Sequence, residues 1–125
     1  MPQPAILLIS GDAEIERAAC EAARGTGQAL VVVRTAHEAV KQFAHGFEGY
    51  HLILVDLDPD VHGVTLFNAL DDCHGKAPMV ALTGCEEIYM KPLALGRGAA
   101  ACLGKPVMAA RFKRLFEEFC STPVN

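Results

Sequence analysis

Five short, almost wholly apolar runs constrain this 125-residue chain more than any other feature: AILLI (5–9), ALVVV (29–33), LILVD (52–56), PMVAL (78–82) and AAACL (99–103). None shows the apolar–polar alternation of a strand with one wet face, so each reads as a strand covered on both sides, as in a parallel sheet. The stretches between them are of helical length and period. Alternation of this kind with short connections predicts an α/β fold: a single doubly wound, five-stranded parallel sheet with helices on both faces.

The connecting stretches carry their own signals. Asp12 is placed to cap a helix whose apolar stripe is Ile15, Ala18, Ala19 and Ala22, with Gly25 as its expected end. Thr35 and Glu38 form a capping box, T-A-H-E, ahead of a helix burying Ala36, Ala39, Val40 and Phe43. Gly46 and Gly49 turn the chain into the third run, and Pro59 and Gly63 break it afterwards. Val64, Leu66, Phe67 and Leu70 suggest a further helix closing near Gly75, whereas 86–91 is a poor one because Pro92 interrupts it. The last helix is the clearest, with Met108, Phe112, Leu115, Phe116 and Phe119 on one face and Arg111, Lys113, Arg114, Glu117 and Glu118 on the other. Residues 1–120 form one domain on this reading, and 121–125 a tail or linker stub.

Composition narrows the function classes. A net charge of −4 gives no basic surface for nucleic acid. The run at 5–9 is too short for a signal peptide, and nothing approaches a membrane span, so the expected location is cytoplasmic. The five cysteines (20, 73, 85, 102 and 120) show neither CxxC nor zinc spacing, and the five histidines (37, 45, 51, 62 and 74) are equally scattered. Small reduced thiols in a core and surface imidazoles account for both.

Polar residues close three of the strands: Asp56, Thr83 and Lys105. In a sheet ordered 2-1-3-4-5, Asp56 and Thr83 end neighbouring strands about 4.8 Å apart, at the carboxyl edge where open α/β folds place their chemistry. Lys105 starts two strands away, roughly 10 Å, which its long stem can span. Such a trio suits acceptance of a phosphoryl group: the carboxylate attacks, and the ammonium and hydroxyl hold the phosphoryl oxygens. The plainer alternative is a sheet-edge carboxylate held by Lys105 and nearby amides.

LVD at the third strand, the downstream P-D-V-H-G, ALTG after the fourth and G-A-A-A-C-L-G-K-P at the fifth together resemble the response-regulator receiver domain, of chemotaxis-regulator (flavodoxin-like) fold, over nearly the whole chain. The resemblance implies that Asp56 is the phosphoacceptor of a histidine kinase or phosphotransfer protein. It implies that Thr83 and Lys105 contact the phosphoryl group and that the peptide before Pro106 is cis. The chain would then be a phosphoryl acceptor at most, not an enzyme. Its partners would be the kinase and an output protein or domain, with the last helix a candidate homodimer face.

The family pattern is broken at the metal. Receivers carry an acidic pair for Mg²⁺ where this chain has Ser10 and Gly11, leaving Asp56, Asp12 and Asp58 as weak candidate ligands. Asp12 is one position late, and the loop carrying Asp58 is one residue short. Cys102 stands where an aromatic switch residue is common, and Pro92 falls within the usual output surface. The pattern points to a degenerate receiver with weak or absent Mg²⁺-dependent phosphorylation and output through protein–protein contacts. The alternatives are a conventional receiver phosphorylated on Asp56 and, distantly, a flavodoxin-like small-ligand-binding protein. Against the last, Asp12 sits where a phosphate cradle wants bare amides, and only Tyr50 and Tyr89 could stack on a flavin. Cys85 lies beside the site, but Glu86 and Glu87 disfavour its thiolate.

Overall fold

A computed structural model of the chain describes residues 5–35, 38, 39, 41, 50–57, 77–84 and 100–120. The strands are β1 (Ala5–Ile9), β2 (Ala29–Val33), β3 (Tyr50–Leu57), β4 (Met79–Thr83) and β5 (Ala101–Gly104). Among the described residues, two helices have both ends defined, α1 (Ala13–Thr26) and α2 (Ala109–Cys120), and residues 38, 39 and 41 are also helical. All strand pairs are parallel, in the order β2-β1-β3-β4-β5, as the alternating runs predict.

The apolar runs feed two cores because successive strand side chains point to opposite faces. Ile6, Leu8, Leu52, Leu54, Val80, Leu82 and Leu103 face α1 and α2, meeting Ile15, Ala19, Ala22, Phe112, Leu115 and Phe116. The small residues of α1 leave room for the large ones of α2, whose Phe112 and Phe116 rings lie 5.8 Å apart. Leu7, Ile9, Ile53, Val55, Met79, Ala81 and Cys102 point the other way, where they pack with Ala39, a helical residue, and Ala77.

Several boundaries move. β3 begins at Tyr50, ahead of the expected 52, across a register irregularity opposite Ala5 and Ile6. β5 runs one residue further than expected because Gly104 pairs with Thr83. Helix α1 passes through Gly25 and ends at Gly27, whose φ of 71° is the left-handed turn. There the Gln28 amide donates to Ala23 O (2.9 Å) and the Gly27 amide to Arg24 O (3.4 Å), a Schellman cap. Met108 is not on the buried face of α2: it is 64% exposed, and Val107 fills the core beside the helix instead. The charged residues Arg111, Lys113, Arg114, Glu117 and Glu118 are exposed as expected.

Thr35 Oγ1 accepts from the Glu38 amide (3.1 Å), but Glu38 reaches back to the Arg34 amide (3.3 Å), one residue before the cap. The expected helices over 64–75 and 86–91, the residues Asp58, Cys85 and Pro92, and the tail 121–125 lie outside the described residues.

Candidate functional site

The sheet ladder itself carries the site residues into place. Ile9 is level with Val55, so the next residues, Ser10 and Asp56, follow side by side, while the Ser10 amide donates to Val33 O (3.0 Å) and carries the ladder to β2 one step further. On the far side, the Lys105 amide donates to Thr83 O (2.7 Å), extending β5 past Gly104. By strand alternation, Ser10, Asp56 and Lys105 share the face of Leu8, Leu54 and Leu103, towards α1 and α2. The Lys105–Pro106 peptide is cis, as the resemblance implies.

Asp56 is held on both oxygens. Its Oδ1 forms an ion pair with Lys105 Nζ, with the two side chains only 6% and 18% exposed. Its Oδ2 accepts from Ser10 Oγ at 2.7 Å. Ser10, 4% exposed, accepts in turn from the Asp12 amide at 3.0 Å. Asp12 does cap α1: its Oδ1 accepts from the amides of Glu14 (2.9 Å) and Ile15 (3.4 Å). Thr83 ends the neighbouring strand, level with Leu57, and is buried. It shares the parity of Met79 and Ala81, and among the described residues no hydrogen bond joins its hydroxyl to Asp56 or Lys105.

The Asp56–Lys105 contact is the one the sequence implies. The Ser10 contact is not, because position 10 reads as a lost ligand although the strand register puts Ser10 beside Asp56.

The donors described here do not suit Mg²⁺, which requires several oxygens, preferably anionic, in near-octahedral array. Asp56 already faces an ammonium, Ser10 is neutral, Gly11 has no side chain, and one oxygen of Asp12 is committed to the helix cap. Among the described residues no three His, Cys, Asp or Glu gather into a cluster.

A groove of about 510 Å³ opens beside the site. Asp12, Ile15 and Ala18 of the α1 segment line it, together with Lys105, Val107 and Met108 of the β5–α2 segment. Among the described residues, no helix is long and apolar enough to cross a membrane.

No protein-family model matches the chain, and no curated protein matches it in sequence. Solved structures do. The receiver domain of NtrX from Brucella abortus superposes with a TM-score of 0.79 at 21% identity, over 94% of this chain and 99% of that one. A CheY-like receiver domain protein from Methanospirillum hungatei gives 0.79 at 22% identity, over 93% and 92%. A response regulator from Thermotoga maritima gives 0.80 at only 13% identity, over 96% and 99%. Against a longer NtrX structure, the chain spans 26% of the other's length. The fold is that of response-regulator receiver domains.

Proposed function

We propose that this chain is a receiver-derived module of two-component (phosphorelay) signalling, working in the cytoplasm. Asp56 stands at the phosphoacceptor position, Mg²⁺-dependent phosphorylation is weak or absent, and output runs through protein–protein contacts. The observation that carries this reading is a carboxylate ending the central strand of a receiver fold and paired with the lysine that ends the outer one.

In a receiver, the Asp oxygen forms a bond to phosphorus as the donor's nitrogen–phosphorus bond breaks, and the imidazole leaves. Lys105 supplies one positive charge for that step, already engaged by Asp56. A dication, when bound, would offset the remaining repulsion between carboxylate and phosphoryl group. Without it the incoming group meets a carboxylate that must also break its bond to Ser10, so transfer is slow. Thr83 is proposed to support the phosphoryl oxygens. A histidine kinase or phosphotransfer protein and an output protein or domain are the proposed partners, with the groove beside Lys105 as the nearest docking face. The charged outer face of α2 is the proposed dimer face.

Beryllofluoride, a phosphoryl mimic, tests this reading through amide NMR shifts recorded with Mg²⁺. The unaltered protein should respond weakly or not at all. A Ser10→Asp/Gly11→Asp variant should acquire a response centred on Asp56 and lost on Asp56→Ala. A full, Asp56-dependent response in the unaltered protein would make it a conventional receiver instead. No response in the folded double variant would remove Asp56 from the phosphoacceptor role.

A further inference from the structure

Ser10 spends its one hydroxyl proton on Asp56 Oδ2 and receives the Asp12 amide on the same oxygen. Three residues from two distant parts of the chain are thereby strung on one atom, and Asp12 is the residue that caps α1 through Glu14 and Ile15. At 4% exposure, Ser10 has little access to water that could replace either partner. We propose that Ser10 is a latch coupling Asp56 to the first turn of α1, so that a change at Asp56 Oδ2 is felt at the α1 wall of the groove.

A buried hydroxyl that loses its acceptor must rotate to find another, and rotation realigns its lone pairs against the Asp12 amide. That amide immediately precedes the helix, so its displacement reaches the capping carboxylate and the residues it holds. Asp12, Glu14 and Ile15 line the same groove as Lys105. Its shape therefore answers to Asp56 from two sides: through the ion pair at Lys105 and through the latch at α1. The ion pair alone would leave the α1 side unaware of Asp56.

The proposal takes Asp56 as the residue whose state matters, which is its only dependence on the receiver reading. A cycle of variants followed by amide NMR tests it without any phosphoryl donor. Its failure would leave the beryllofluoride experiment untouched, and failure there would leave the latch standing. Asp56→Ala should shift the amides of Asp12, Glu14 and Ile15 in the Ser10 and Ser10→Thr backgrounds and leave them still in Ser10→Ala. The amides of Lys105 and Val107, which answer to the broken ion pair, should move in all three as the internal control. Ser10→Ala by itself should speed exchange of the Asp12 amide about fivefold, the ratio that one ordinary hydrogen bond carries. Equal shifts at Asp12, Glu14 and Ile15 in the Ser10→Ala background would overturn the proposal, as would unchanged exchange of the Asp12 amide. If Ser10→Ala does not fold, Ser10→Cys, with its weak thiol donor, repeats the comparison.

Discussion

Asp56 draws one partner from each flank of β3: a hydroxyl from just past β1 and an ammonium from just past β5. The two are not equivalent. Loss of Ser10 takes one hydrogen bond from Asp56 and leaves its charge partner in place, whereas loss of Lys105 strands a carboxylate whose side chain is 6% exposed. Breaking a buried pair from one side is far more damaging than the pair is stabilising. Lys105→Met should therefore destabilise the fold by about 3 kcal/mol at neutral pH, measured by urea unfolding. Asp56→Ala in the Lys105→Met background should recover part of that loss, because the stranded charge is gone. A Lys105→Met protein as stable as the original would mean that the ion pair is not held in solution.

The helices show how local rules and tertiary context divide the work. Gly25 was a reasonable stop signal, yet glycine marks a helix end only where the backbone turns left-handed, and that turn falls at Gly27. The two glycines should respond oppositely to alanine. A Cβ at Gly25 would meet the end of the Lys113 side chain at 3.6 Å, an ordinary contact, so Gly25→Ala should stabilise by about 0.5–1 kcal/mol. Gly27→Ala forces alanine into φ 71° and should destabilise by about 1 kcal/mol. Thermal unfolding of both variants checks the sign. Met108 illustrates the other direction: helical spacing placed it on the apolar stripe, but it precedes the first residue of α2 and is exposed. The five strands were legible because burial on both faces leaves an unbroken apolar run, which few other structures require. The hydroxyl on Asp56 was not, because the resemblance defined position 10 by the acid it lacks, not by the neighbour that the register supplies.

A further buried polar group lies on β3, away from the site. Among the described residues, no hydrogen-bond partner meets the buried His51 Nε2, and burial holds its pKa below the ordinary histidine value. The folded state therefore keeps His51 neutral at pH values where the unfolded chain, titrating near about pH 6.5, already binds a proton. Stability from this residue is present above that value and is lost as pH falls below it, until the folded state also takes up the proton. His51→Leu should flatten the decline in unfolding free energy as pH falls through about 6.5. An unchanged pH profile would show that His51 is solvated in solution.

The chain thus combines the receiver-type sheet with an Asp56–Lys105 ion pair and a neutral hydroxyl, that of Ser10, bound directly to Asp56; on the proposed reading, Ser10 and Gly11 stand where a receiver carries its acidic Mg²⁺ pair. A Mg²⁺ titration of the unaltered protein and of Ser10→Asp/Gly11→Asp, followed at the amides of residues 10–12 and 56, tests that claim most directly. A Cβ at Gly11 would approach Arg34 O at 3.4 Å, so the backbone there admits a side chain. No saturable shift is expected in the unaltered protein and a saturable one in the variant. Saturable binding of equal strength in both would contradict that claim.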